Sequence, residues 1–285
     1  MTASARRLAV DVGNTAVKVA FYSDSGSLVC RAFPIATSNW VDAIWTGLKL
    51  EPAADQFTWL VSSVNRAASS RLKQAVLQAG SPARQIQWLD ITHRNVPLPV
   101  AVTEPKRLGV DRLLSAYAAF KRFGEPVLVV DAGSAVTVDL VSTDSEGQAI
   151  FRGGAILPGI SLQYAALRSG AEGLRQTEQT VGKPSNRNTN RLFEPGRNTA
   201  SAIHAGILAS LVGAIERLAR DFQLSIQEAD SHSKTSSPAE VEIILTGGDG
   251  PVISEYMREQ HRQCPHLVCR GLLDLDPSAE SHPPQ

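Results

Sequence analysis

The sequence predicts an α/β protein made of two similar domains that face each other across a cleft. A short apolar strand ending in Asp-x-Gly occurs twice, as Leu8-Ala9-Val10-Asp11-Val12-Gly13-Asn14-Thr15 and as Val127–Val130 followed by Asp131-Ala132-Gly133-Ser134. Each copy runs into a second β-rich segment with period-two alternation, Val17, Val19 and Phe21 in the first and Val136, Val138 and Leu140 in the second. The copies lie too far apart for a solenoid repeat, and 285 residues hold two domains of ordinary size.

Element by element, Leu8–Asp11 and Ala16–Tyr22 form a hairpin bent at Asp11–Thr15, and Leu28–Phe33 adds a third strand. Val41–Leu48 and Arg71–Ala79 have helical spacing, with a strand over Phe57–Val64 between them. Leu113–Phe123 is an Ala- and Leu-rich helix stopped by Gly124-Glu125-Pro126. Gly153-Gly154 follows a strand, and Pro158-Gly159 opens a helical run through Leu167. A strand over Val241–Leu245 leads into Thr246-Gly247-Gly248-Asp249, and Leu267-Val268-Cys269 reads as the start of a buried strand. Gln176–Asn198 and Glu228–Glu240 are polar surface loops. The expected division is residues 1–118 and 119–275, with 276–285 as a disordered tail.

Composition narrows the function classes. Lys plus Arg and Asp plus Glu both number 28, so the basic excess of a nucleic-acid binder is missing and no nucleic-acid partner is expected. No apolar run approaches the roughly 18 residues of a membrane span, and Arg6-Arg7 before so short an apolar stretch does not make a signal peptide, so a cytoplasmic protein without a membrane partner is expected. Three cysteines give no disulfide framework. His261, Cys264, His266 and Cys269 are close enough in sequence for a zinc site, but the spacing rules favour packing.

The chemistry-bearing motifs lie at the turns. Phosphoryl transfer needs backbone donors around a polyphosphate, a metal ion, and a base aligned with the acceptor hydroxyl. No Walker-type or G-x-G-x-x-G loop is present. The first Asp-x-Gly turn supplies the parts in another way: Gly13 admits a phosphate close to the backbone, Asn14 and Thr15 add donors, Lys18 adds positive charge, and Asp11 suits Mg²⁺ directly or through water. Gly109-Val110-Asp111-Arg112 opens a helix. There Asp111 is either an N-terminal helix acid or the base for an acceptor hydroxyl, with Arg112 beside it for acidic groups. The Gly153–Gly159 and Thr246–Asp249 segments offer close backbone approach, the latter to a nucleotide base or ribose.

Together, Asp11-Val-Gly-Asn-Thr-Ala-Val-Lys18, Leu108-Gly-Val-Asp-Arg112, Asp131–Asp139, Gly153–Gly159, Gly196-Arg-Asn-Thr199 with Gly206, Thr246-Gly-Gly248 and Gly271-Leu272 resemble the type III pantothenate kinases of the acetate and sugar kinase, Hsc70 and actin superfamily. The resemblance implies duplicated actin-like (ribonuclease H-like) domains, with mixed sheets flanked by helices. It implies transfer of the ATP γ-phosphoryl group to pantothenate, the first step of coenzyme A synthesis. By position, Asp11, Val12, Gly13, Asn14, Thr15, Ala16, Val17 and Lys18 form the ATP and Mg²⁺ loop, and Ser134 contacts ATP. Gly109, Val110, Asp111, Arg112 and Thr199 line the pantothenate site with Asp111 as proton acceptor, and Asp131 binds K⁺ or NH₄⁺. A homodimer is implied, with the acceptor site near the subunit interface.

Three positions depart from the family pattern: Ser134 replaces a Thr, Val102 stands where a substrate-contacting Tyr is frequent, and Gly170–Leu174 replaces a Thr-Ala-x-Leu-Pro segment. Two other readings stay open, a related kinase with a different hydroxyl acceptor and a nucleotide-binding regulatory protein without transfer activity.

Overall fold

The computed structural model describes residues 6–50, 57–79, 87–124, 126–144, 146–175, 177, 192–230 and 240–275. The expected tail at 276–285 and most of the expected loops at 176–198 and 228–240 therefore lie outside the described residues. In order the elements are β1 (Arg6–Val12), β2 (Ala16–Tyr22), β3 (Leu28–Pro34), α1 (Trp40–Leu48), β4 (Phe57–Ser63), α2 (Arg66–Ala79), β5 (Gln87–Asp90) and α3 (Val110–Phe123). There follow β6 (Val127–Ala132), β7 (Ala135–Thr143), β8 (Ala149–Pro158), α4 (Ile160–Gly170), α5 (Thr199–Asp230), β9 (Glu242–Thr246), α6 (Gly250–Ser254), β10 (His261–Gln263) and α7 (Leu267–Asp274).

The strands make two five-stranded sheets, ordered β3-β2-β1-β4-β5 and β10-β9-β6-β7-β8. In each, an antiparallel three-strand meander is extended by parallel pairing from its first strand, β1 to β4 and β6 to β9. The same topology twice, flanked by helices, is the duplicated actin-like arrangement. Two compact units contain them, one of Met1–Pro97, Lys106–Ala118 and His266–Gln285, the other of Leu98–Pro105 and Ala119–Pro265. The last helix thus returns to the unit that holds the first strand.

Strand parity sorts the first sheet. Leu8, Val10 and Val12 point to one face with Val17, Val19 and Phe33, where they meet Trp40 and Ile44 of α1 and Leu72 and Val76 of α2 in one apolar core. Trp59 is fully buried there, edge-on to Trp45 at 5.5 Å and stacked on Trp88 at 6.1 Å. The other face carries Ala9 opposite Ala20, Ala20 opposite Cys30, and Asp11 opposite Lys18 and Ser62. Its small side chains leave room for α7, which packs across β1, β2 and β4. In the second unit Leu128, Val130, Val136, Val138 and Leu245 face Ile207, Leu208, Leu211 and Ile215 of α5. By length and composition Thr199–Gln227 of α5 could cross a membrane, yet this apolar stripe is built into the second core.

Three expectations are corrected. Leu267–Cys269 begins a helix, because Leu267, Val268, Gly271 and Leu272 are buried at helical spacing; three apolar residues in a row cannot separate a strand from a buried helix. Gly153 and Gly154 lie inside β8, at an irregularity opposite Leu140 and Val141. Residues 228–230 continue α5 rather than starting a loop.

Helix α7 approaches α3 backbone to backbone: a Cβ on Gly271 would lie 2.5 Å from the Leu114 carbonyl oxygen. Backbone cannot swing aside as a side-chain tip can, so Gly271→Ala should cost about 1–3 kcal/mol of stability as overpacking. Urea unfolding measures this, and an unchanged midpoint would show that α7 and α3 part freely.

Candidate active site

The first Asp-x-Gly turn is a three-residue connection. Asp11 and Lys18 are cross-strand partners, and their side chains meet at 3.5 Å, Lys18 Nζ to Asp11 Oδ2. Asp11 is buried and Lys18 half-buried, so the contact is shielded from solvent on the carboxylate side. Gly13 N–H donates to Ala16 O at 3.1 Å, which closes the turn and consumes that amide. Asn14 and Thr15 are exposed at the tip, Ala16 and Gly13 are half-buried, and the Val12 and Val17 side chains point into the core. Of the predicted loop, Asn14, Thr15 and Lys18 therefore carry the accessible chemistry, Asp11 stands buried against Lys18, and Val12 and Val17 position them.

The second turn repeats this plan: Gly133 N–H donates to Ala135 O at 3.0 Å, Ser134 is exposed, and Asp131 is half-buried. Two glycine motifs converge on it. Gly247, at φ 89°, lies where a Cβ would overlap the Ala132 carbonyl, and Asp249 N–H donates to Ala132 O at 2.9 Å. A Cβ on Gly159 would overlap the Gly133 carbonyl, and its N–H donates to Ser134 O at 3.1 Å. Gly154 likewise abuts the Val138 carbonyl. Gly159 and Gly247 therefore serve backbone packing around the turn and Gly154 serves it within the β7–β8 ladder, where the sequence pointed to room for a ligand; Gly248 has open space at its Cβ position. Burial pushes the Asp249 carboxyl above its ordinary pKa.

Register also supplies neighbours for the two acids: the motif search missed Ser62, and it quoted Thr137 and Thr246 without this role. Ser62 lies opposite Asp11, while Thr137 and Thr246 lie opposite Asp131 on either side. The hydroxyls of Ser62 and Thr137 are buried and have no hydrogen-bond partner among the described residues. Nothing local in the sequence gives them this place; strand pairing alone brings them beside the acids.

Asp111 sits in the first turn of α3, half-buried, and its Oδ1 accepts a hydrogen bond from Arg112 N–H at 2.9 Å. The carboxylate is folded back over Gly109, because a Cβ at that position would overlap Oδ1. Val110 is buried as the anchor of this turn, and Arg112 is half-buried. Thr199 is the first residue of α5, exposed beside a cap in which Asn198 Oδ1 accepts from Ser201 N–H at 2.8 Å. It lines an open groove of about 660 Å³ between α4 and α5, with Gln163, Leu167, Leu174 and Ile203. Asp11, Lys18 and Gly109–Arg112 belong to the first compact unit, and Asp131, Ser134 and Thr199 to the second.

The family model for type III pantothenate kinases matches residues 7–221. The chain belongs to the type III pantothenate kinase family. It is thus a phosphotransferase that phosphorylates pantothenate for coenzyme A synthesis and binds ATP. A type III pantothenate kinase of Rhodopirellula baltica is 32% identical, the match covering 94% of this chain and 98% of that one. One of Nocardia farcinica is 28% identical over 93% and 95% of the two chains. Among solved structures, a Campylobacter jejuni protein described as a conserved Baf family transcriptional activator shares the fold at a TM-score of 0.53. It is 20% identical, over 93% of this chain and 95% of that one.

In the kinase, the departures from the family pattern have definite places. Val102 packs against β8, its Cγ1 3.5 Å from a Cβ built on Gly153. Gly170 ends α4, and Glu172–Leu174 forms a 3₁₀ turn whose Leu174 reaches the groove of Thr199. Among the described residues, the four His and Cys residues weighed as a zinc site form no ligand cluster. The His261 ring bonds Ser254 Oγ at 2.7 Å and the Glu259 carbonyl at 2.8 Å, while Cys269 meets Cys30 of β3. The hydrogen bond from Cys269 pushes the Cys30 thiol down to about 5 against the effect of burial, with His266 and Lys18 adding to it, and the same hydrogen bond, then burial, push Cys269 up.

Gly109 is not among the positive-φ residues, so its backbone accepts alanine, but the new methyl would displace the Asp111 carboxylate. Because a flexible side-chain tip gives way, Gly109→Ala should leave the thermal midpoint within a few degrees. It should lower turnover on the order of 10-fold, with KM for ATP little changed. Steady-state kinetics checks it; parental turnover would mean that the carboxylate position is irrelevant.

Proposed function

We propose that Asp111 is the general base of the reaction, taking the proton from the primary hydroxyl of pantothenate as that oxygen attacks the γ-phosphorus of ATP. The observation that carries this is the carboxylate folded over Gly109 in the first turn of α3, half-open to solvent. An ionised carboxylate accepts about four hydrogen bonds. The one from Arg112 N–H therefore orients Oδ1 and leaves capacity for a hydroxyl. Arg112 adjoins the base and serves to attract negative charge on acceptor or phosphate. Gly109 and Val110 set the turn, and Thr199 contacts the acceptor from its place at the head of α5.

The turn bearing Asn14, Thr15 and Lys18 cradles the ATP phosphates, and Ser134 adds a hydroxyl contact to the nucleotide. When bound, Mg²⁺ supplies neutralisation of polyphosphate charge. Asp11 suits it, being a buried carboxylate beside an unpartnered Ser62 hydroxyl, and Mg²⁺ takes few protein carboxylates and keeps its waters. A monovalent cation, K⁺ or NH₄⁺, fits Asp131 because oxygen donors surround that acid: Thr137, whose buried hydroxyl has no partner, and Thr246. Leu162 and Leu167, exposed on α4 beside the groove of Thr199, support pairing of two copies as a homodimer. The kinase acts in the cytoplasm on its small-molecule substrate.

Asp111→Asn tests the base. Turnover should fall by about 10² to 10⁴, the usual range for a lost general base, with ATP affinity within about two-fold by calorimetry. Turnover within a few-fold of the parent would leave Asp111 as a first-turn helix acid only.

A further inference from the structure

We infer that His93 is a positioning residue for phosphoryl transfer, holding the acceptor segment in register through the carbonyl of Leu108. The inference rests on the assignment of Asp111 as base. Between Pro97 and Lys106 the chain leaves the first compact unit, and it re-enters at Lys106–Ala118, three residues before Gly109. A segment that re-enters a domain and immediately starts a helix needs a fixed point, or the first turn of that helix shifts with the incoming loop. The structure supplies one: the His93 ring Nε2 is hydrogen-bonded to Leu108 O. A carbonyl oxygen only accepts, so Nε2 carries the proton.

Both ends of this tether are anchored. On the His93 side, Ile91 N–H donates to Val61 O of β4 at 2.7 Å. The 3₁₀ turn His93–Asn95 is then locked by Asn95 Oδ1, which accepts from Thr92 N–H and Thr92 Oγ1, both at 2.9 Å. The imidazole is therefore hung from the edge of the first sheet. On the other side, Leu108 is buried and Gly109 O accepts from Leu113 N–H at 3.4 Å as α3 begins. Peptide planarity makes the Leu108 carbonyl and the Gly109 N–H point in opposite directions. Fixing one therefore fixes the Leu108–Gly109 peptide plane and with it Gly109, over which the Asp111 carboxylate is folded. The sequence of constraints runs from β4 through His93 to Leu108, Gly109 and Asp111. His93 touches neither the acid nor, on this account, the substrate; it acts through the peptide.

The tether is a hydrogen bond donated from the ring Nε2. What it needs is a donor at that reach. Gln carries its Nε2 the same number of bonds from Cβ as His, while Asn is one carbon shorter. His93→Gln should keep kcat within about three-fold of the parent, and His93→Asn should lower it at least 10-fold, with KM for ATP within about two-fold for both. An ångström of misplacement at a reacting group costs on the order of 100-fold, so 10-fold is a modest expectation. The double variant His93→Asn with Asp111→Asn should be no slower than Asp111→Asn alone, because a residue acting only through Asp111 has nothing further to lose.

Kinetics of the five proteins (parent, two His93 variants, Asp111→Asn and the double variant), each with a thermal melt, decide the matter. Equal kcat for His93→Asn and His93→Gln overturns the tether. A double variant slower than Asp111→Asn by the full His93→Asn factor overturns action through Asp111. If Asp111→Asn keeps parental turnover while His93→Asn loses it, the assignment of the base has failed, and with it the route by which His93 was argued to act. A loss that follows only a lowered melting temperature, equal for Gln and Asn, reduces His93 to scaffolding.

Discussion

Each half of this kinase depends on one constraint, the side-chain parity of a short strand at the centre of a five-stranded sheet. In β1, Leu8, Val10 and Val12 must enter a core, which forces Ala9 and Asp11 onto the opposite face. In β6, Leu128, Val130 and Ala132 do the same and force Asp131 outward. A one-residue slip in either register would bury an acid in an apolar core and expose a row of valines and leucines. The hydrophobic effect that assembles the sheet thus also fixes where the carboxylates stand, beside the turns at the strand ends. Cross-strand neighbours complete each environment: Lys18 and Ser62 around Asp11, Thr137 and Thr246 around Asp131.

Much of this was legible in the sequence because it is local. Apolar alternation marked β1, β2, β6 and β7, and Asp-x-Gly marked the turns, so the duplication could be read by setting the two passages side by side. The Gly109–Arg112 segment was legible as a helix start, although α3 begins at Val110, earlier than its apolar spacing indicated. What stayed hidden is what only strand pairing and chain return create. Ser62 and Thr137 look like ordinary strand residues until register puts their hydroxyls beside the acids. The closing helix α7 was read as a strand, and its return to the first unit depends on small residues on three different strands.

Glycines illustrate the same division. From the sequence, Gly153–Gly154, Gly159 and Gly247–Gly248 resembled room for a ligand. In the folded chain, Gly159 and Gly247 are sites where backbone meets backbone around the second turn, and Gly154 is one within the β7–β8 ladder. Gly109 differs in kind: the space that its missing side chain leaves is occupied by the carboxylate of Asp111. A substitution at the former group strains the scaffold, whereas one at Gly109 moves the carboxylate proposed as the base.

The most direct test of the role given to the parity-placed acids is anomalous diffraction from crystals grown with a non-hydrolysable ATP analogue, Mn²⁺ in place of Mg²⁺ and Tl⁺ in place of K⁺. The Mn²⁺ peak should stand within direct or one-water reach of Asp11, beside phosphates seated on Asn14 and Thr15. The Tl⁺ peak should stand on Asp131 with Thr137 or Thr246 among its ligands. Metal and phosphate density away from both acids would contradict the account.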